Sequence, residues 1–156
     1  MHFENLMGLI IFAGSLLLMV LTVPWPEIKK FSLFGILSGL GLAIVLLVVM
    51  QNLLGVWIYH QVDFLYLGRI PLILSAAWIP AEIFFAYFLS CYQQPLHRLL
   101  LILFLPAVAV GIHFIQIWNH MLTYHYWNYW GTYIVSLGIH AGLALYLKRV
   151  YKIPLF

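Results

Sequence analysis

From Phe31 to Tyr59 the chain carries no Asp, Glu, Lys or Arg. That run is longer than the roughly 20 residues an α-helix needs to cross a bilayer. Four more apolar runs flank it, so that the set spans about 5–23, 31–59, 71–92, 99–121 and 129–147. The runs are continuous rather than alternating, which argues for helices over membrane strands. Charged residues make up only 7% of the 156 residues and hydrophobic ones 65%, against about 25% charged in a soluble domain. A water-soluble particle of this size cannot hide so much apolar surface. The expected fold is an all-α, polytopic integral membrane bundle of five transmembrane helices, in one domain over residues 1–156. The surplus length of the second run predicts tilt or an outward extension.

Prolines punctuate the runs. Val23-Pro24-Trp25-Pro26 closes the first, because proline does not continue a helix. No Lys or Arg precedes that run and no small-residue cleavage site follows it, so it reads as a retained helix rather than a secretory signal. Pro71 is placed as a first-turn proline. Pro80 lies inside the third run and predicts a kink, and Pro106 lies inside the fourth. The loops are short and no internal repeat is visible, unlike transporters built from inverted halves.

The basic residues orient the bundle. With five spans, Lys29, Lys30, Arg98, Lys148, Arg149 and Lys152 share one side, and Arg69 alone lies on the other. Basic residues accumulate on the cytoplasmic side, so the N-terminus is expected outside and the C-terminus in the cytoplasm of a cell membrane, with a bacterial cytoplasmic membrane the natural setting. Trp57, Tyr59, Phe64 and Tyr66, and then Tyr124, Tyr126, Trp127, Tyr129 and Trp130, crowd the outer ends, and Trp25 marks the inner side. Such rings anchor at headgroup level. The pairs Gly35/Gly39 and Gly138/Gly142 permit close helix contact, within the chain or in a homo-oligomer or with a membrane-protein partner.

Several function classes drop out. The net charge of +3 comes with no basic run and no Gly-rich phosphate loop, so no nucleic acid or nucleotide partner is expected. The lone Cys91 excludes an internal disulfide. There is no HExxH, no CxxCH and no compact His/Asp/Glu cluster, so no metal site and no cofactor are expected. A b-type haem would need axial histidines from facing helices, such as His113 with His140.

Polar groups inside the runs point to a site. Of the four acids, Glu82 alone sits mid-run. At 1.5 Å per residue it lies roughly 16 Å below Pro71, close to mid-bilayer. An ionised carboxylate there costs about 2.5–3.5 kcal/mol on insertion scales, and one held neutral is a proton donor. His113, Gln116 and His120 are spaced to share one helix face. Asn52 and Gln51 fall in the outer half of the second run, and His140 is near mid-bilayer. The expected geometry is a polar cavity in the outer half with Glu82 at its floor. Glu82 and His113 are the candidate catalytic pair. Asn52, Trp57, Trp78, Gln116, Trp118 and His120 are the candidate substrate-binding residues. The alternative for Glu82 is a hydrogen bond to a neighbouring helix that fixes register.

The segment from Leu54 to Phe88, LGVWIYHQVDFLYLGRIPLILSAAWIPAEIFFAYF, resembles the small membrane-embedded lycopene cyclase domain. Gly55, Trp57 and Tyr59 match that family's Gly-x-Trp-x-Tyr-like segment. Pro80 and Glu82 match its Pro-x-Glu-Glu motif, and Phe84, Phe85 and Phe88 its Phe-rich continuation. Ile83 stands where the family has its second acid. The resemblance implies an isoprenoid substrate, with Glu82 donating a proton to an alkene and Trp78, Phe84 and Trp118 shielding the carbocation. The C-terminal part is similar to an uncharacterised family of small bacterial membrane proteins through Trp127, Asn128, Trp130, Lys152, Pro154 and Leu155, which implies no activity.

Three functions follow as expectations. One is a membrane lipid-binding, accessory or scaffold protein, whose partner is a lipid or lipid-soluble small molecule or another membrane protein. The second is an intramembrane isoprenoid enzyme, and the third a proton-coupled carrier using Glu82 and His113 as a relay.

Overall fold

The computed structural model describes residues 6–155. Five helices account for most of the chain: α1 Met7–Thr22, α2 Trp25–Leu53, α3 Leu72–Cys91, α4 Pro95–Trp118 and α5 Tyr129–Val150. The last four are long and apolar enough to cross a membrane, and α1 is a shorter apolar helix. Asn5, the expected start of the first helix, lies outside the described residues.

Helix α2 corrects the expected 31–59 at both ends. It starts at Trp25, because Pro24 supplies an extended cap and Pro26 falls in the first turn, where its missing N–H is unneeded. It ends at Leu53, where Gly55 takes a positive φ of 63° and turns the chain out of helical geometry. Two π-helical stretches, Gly35–Gly41 and Val48–Leu53, interrupt it. Helix α3 is broken at Ala77 into Leu72–Ala76 and Trp78–Cys91. Pro80 accounts for the break, because it cannot donate to the carbonyl of Ala76 four residues back.

Strands were not expected, yet two short ribbons are present. Residues Trp57–Tyr59 (β1) pair antiparallel with Leu122–Tyr124 (β4), and Tyr66–Leu67 (β2) pairs with Ile70–Pro71 (β3). The β1–β4 ribbon joins the loop after α2 to the loop after α4, fastening that end of the bundle. It also moves Trp57 and Tyr59 off the end of a helix and over its interior.

Helix α3 is the centre of the packing and contacts α1, α2, α4 and α5. Half of its most apolar window is buried, against 28% for α2 and for α5. The α2–α3 approach is set by glycine. A Cβ on Gly39 would lie 2.6 Å from the Trp78 backbone, and one on Gly35 2.5 Å from the Ile83 side chain. A Cβ on Gly138 or Gly142 would instead meet no atom of another element within 4 Å among the described residues, so this second pair does not set a helix approach among them. One cluster around Phe31, Phe85, Leu89, Leu101 and Leu147 takes in Val23 and Ile28 after α1, and Ile153 and Leu155 of the tail. That contact brings the α1–α2 turn, the start of α4 and the C-terminal tail to one end. Two further clusters form around Trp57, Ile70 and Leu122 and around Val62, Leu74 and Met121.

Candidate functional site

Polar groups on five elements converge on a cavity of about 80 Å³ between α2, β1, α3, α4 and α5. One water needs about 10–15 Å³ by this measure, so the space admits several waters or part of a small molecule. Apolar side chains such as Leu42, Leu46 and Val135 make up much of the wall. The polar contributions come from Ser38 of α2, Trp57 and Tyr59 of β1, Ser75 and Glu82 of α3, His113 of α4, and Thr132, Ser136 and His140 of α5.

One pole is an acid–imidazole pair. Glu82 and His140 are both 2% exposed, with Glu82 Oε1 3.5 Å from His140 Nε2. His140 Nδ1 is 2.8 Å from the Ser136 carbonyl. A carbonyl only accepts, so Nδ1 carries a proton and donates it. The Nε2 lone pair of neutral His140 therefore faces Glu82. One proton serves the two facing atoms, either on the carboxyl or on Nε2. At 3.5 Å the contact is longer than an ordinary hydrogen bond. Glu82 Oε2 and His140 Nε2 have no hydrogen-bond partner among the described residues.

The other pole is a hydrogen-bonded chain beneath the β1–β4 ribbon. His113 Nε2 is 3.0 Å from the Tyr59 hydroxyl and Nδ1 is 2.7 Å from the Tyr124 hydroxyl. The Tyr124 hydroxyl continues to Thr132 Oγ1 at 2.7 Å, which also accepts from Trp127 Nε1 at 2.9 Å. The chain is self-consistent in either direction. Tyr59 can donate to His113 Nε2 while Nδ1 donates to Tyr124, or every hydrogen can be reversed. Burial raises the Tyr59 phenol pKa above its ordinary value, and pushes that of Tyr124 up to about 12. Both hydroxyls therefore keep their protons at neutral pH. Trp57 packs edge-on against His113 with centroids 4.8 Å apart. Trp57 lines the same cavity, and its buried Nε1 has no hydrogen-bond partner among the described residues.

Comparison of the chain with protein-family models, with curated proteins and with solved structures finds no match in any of the three. The chemistry must accordingly be read from the side chains themselves.

The expected site residues divide. Glu82, His113, Trp57 and Trp78 line the cavity together. Gln116 is fully buried but lines a neighbouring groove instead. Asn52 is exposed, and the adjacent Gln51 is the buried one, donating to the Arg69 carbonyl and accepting from the Tyr59 N–H. The π-helical turn over Val48–Leu53 shifts the faces from those that a 3.6-residue period predicts. Trp118 is 75% exposed at the end of α4. His120 is exposed too, because α4 stops at Trp118 and His120 takes a φ of 56°. Its seven-residue spacing from His113 therefore no longer puts the two on one face.

Tyr59, Tyr124, Thr132 and Ser136 were not singled out as site residues, and His140 was considered only as a polar or haem-axial group. A signal existed in α5, where Thr132, Ser136 and His140 recur every four residues and so share a helix face. With His113 engaged at both ring nitrogens, the His113–His140 pair is not poised for axial ligation. Among the described residues no three His, Cys, Asp or Glu side chains group to hold a metal ion.

Proposed function

We propose that this chain is a multi-pass protein of a bacterial cytoplasmic membrane that binds a lipid-soluble small molecule in the cavity between α2, α3, α4 and α5. The carrying observation is that three residues lining that one cavity, Glu82, His140 and Trp57, each hold a buried polar atom (Oε2, Nε2 and Nε1) with no hydrogen-bond partner among the described residues. Buried polar atoms cost free energy until bonded, and an apolar pocket with a few convergent polar groups is the usual form of a ligand site. A molecule bonded to Glu82 and His140 at one pole and to Trp57 at the other would satisfy them. The gathering of Lys29, Lys30, Arg98, Lys148, Arg149 and Lys152 on the side of the α1–α2 turn and tail supports a cytoplasmic C-terminus.

Purification into lipid nanodiscs followed by native mass spectrometry tests this reading. A small lipophilic molecule is expected to co-purify at one per chain, and Glu82→Gln is expected to release it while the fold is retained. Retention by Glu82→Gln, together with a drop in thermal stability, would make Glu82 a helix-registering group instead.

A second reading rests on the single proton between Glu82 and His140. An acid and a base facing one cavity are the parts needed to protonate an alkene and then remove a proton elsewhere, as the resemblance to the lycopene cyclase domain implies. Incubation with isoprenoid polyenes in heavy water is the test. Deuterium in the product that is lost in Glu82→Gln supports the enzyme, and an unlabelled, unchanged polyene removes it.

A further inference from the structure

A second hollow lies on the other side of the cavity wall. It is a groove of about 290 Å³ between α1, α3 and α4, and Tyr59, Leu74, Trp78 and His113 border both spaces. Its remaining wall is almost wholly apolar, with Leu18, Phe84, Phe104 and Val108 typical. The polar exceptions are Ser15 and Gln116. The Gln116 side chain is 0% exposed, and neither its Oε1 nor its Nε2 has a hydrogen-bond partner among the described residues.

An amide buried with both ends unbonded is costly. Ser15, which α1 contributes to the same wall, has its hydroxyl within 3.0 Å of the Phe12 and Ala77 carbonyls. Ser15 is therefore occupied and Gln116 is not. A group that satisfies Gln116 must donate to Oε1 and accept from Nε2. No Lys, Arg, Asp or Glu is among the groove's lining residues, so an ionised head would have no counter-charge there.

We propose that this groove is a distinct lipid site that takes a linear hydrocarbon or isoprenoid chain ending in an uncharged hydroxyl, with Gln116 bonding the hydroxyl as both donor and acceptor. The proposal rests on the membrane reading of the chain but not on the occupant of the central cavity. Gly14 marks a means of closing the groove. It lines the wall, and a Cβ on it would meet no described atom within 4 Å. A leucine there starts from an unobstructed Cβ and is the variant chosen to occupy groove space.

The test uses the full chain in nanodiscs with three diazirine-bearing probes of equal length: a primary alcohol, the matching alkane and the matching carboxylic acid. Crosslinks are mapped by mass spectrometry. The alcohol is expected to label groove residues such as Ile11 and Val108 about tenfold more than the alkane, the ratio one net hydrogen bond provides, and more than the acid. Gly14→Leu should abolish groove labelling with an unchanged melting temperature, and Gln116→Leu should bring alcohol and alkane level. Equal labelling of the native chain by alcohol and alkane, a lead for the acid, or full labelling of Gly14→Leu would each overturn the proposal. Glu82→Gln is expected to leave groove labelling intact, so loss of the central ligand and loss of the groove lipid are separate outcomes.

Discussion

His140 turns its Nε2 lone pair toward Glu82 Oε1 at 3.5 Å because its Nδ1 proton is already given to the Ser136 carbonyl. The backbone of α5 thus fixes the tautomer that meets the acid on α3. Removing the imidazole alone leaves a buried carboxyl with no partner, which costs about 1–3 kcal/mol. His140→Phe is expected to lose stability on that scale. Glu82→Leu combined with His140→Phe is expected to recover part of it, since replacing both members of a buried polar pair is often nearly neutral. A double-mutant cycle on unfolding in mixed micelles measures the coupling. Strict additivity would show that the two groups do not interact.

The two glycine pairs make opposite predictions. Gly39 sits against the Trp78 backbone, which cannot swing aside as a side-chain tip can. Gly39→Leu is therefore expected to force α2 and α3 apart, cost more than the 1–3 kcal/mol typical of overpacking, and open the central cavity. Gly138→Leu and Gly142→Leu face open space and are expected to leave the melting temperature within a degree or two, an effect of a few tenths of a kcal/mol. Thermal unfolding in detergent checks all three. Equal losses across the set would contradict the packing described.

Much of the helical frame was legible because bilayer-length apolar runs and prolines are strong signals. What failed at Trp57–Tyr59 failed for a local reason: an apolar segment after Leu54 reads as helix unless Gly55 is taken as the turn. Helix rotation was not legible. The π-helical turns of α2 exchange the roles of Gln51 and Asn52, and no periodicity argument anticipates them. His113 and Gln116 share a buried side of α4, yet His113 borders both hollows and Gln116 only the groove, a difference set by tertiary packing. Glu82 is visible in the sequence as the one acid inside an apolar run, whereas its partner is not, because the choice of His140 over His113 depends on how α5 meets α3.

The chain from Tyr59 through His113 and Tyr124 to Thr132 predicts graded effects. Tyr124→Phe removes the shared member, leaving His113 Nδ1 and Thr132 Oγ1 each short of a bond, and is expected to cost about 1–3 kcal/mol. Tyr59→Phe removes one terminal bond and should cost less. Nitrogen-15 spectra of labelled histidine give a readout that stability alone does not. The His113 ring signals are expected to shift in both variants, at Nδ1 for Tyr124→Phe and at Nε2 for Tyr59→Phe, while His140 is unmoved. A His113 spectrum indifferent to both would disprove the chain.

Asp63 gives a prediction in pH. It is 2% exposed in the loop between α2 and α3, and its Oδ2 accepts from the Leu74 N–H at 2.9 Å. Burial raises its pKa above the ordinary 3.8, against the opposing pull of the Leu74 and Ile73 N–H groups. The folded state therefore holds this proton more tightly than the unfolded chain does. Below the unfolded value both states are protonated and the favourable contribution is complete. As pH rises through the folded value the contribution is lost, each unit of upward shift being worth about 1.4 kcal/mol. Asp63→Asn keeps an acceptor for Leu74 and does not titrate. Its melting temperature is expected to gain on that of the native chain as pH is raised from about 4 to about 7. Parallel curves would mean that Asp63 is ionised equally easily folded and unfolded, and that water reaches the carboxylate behind Gly8.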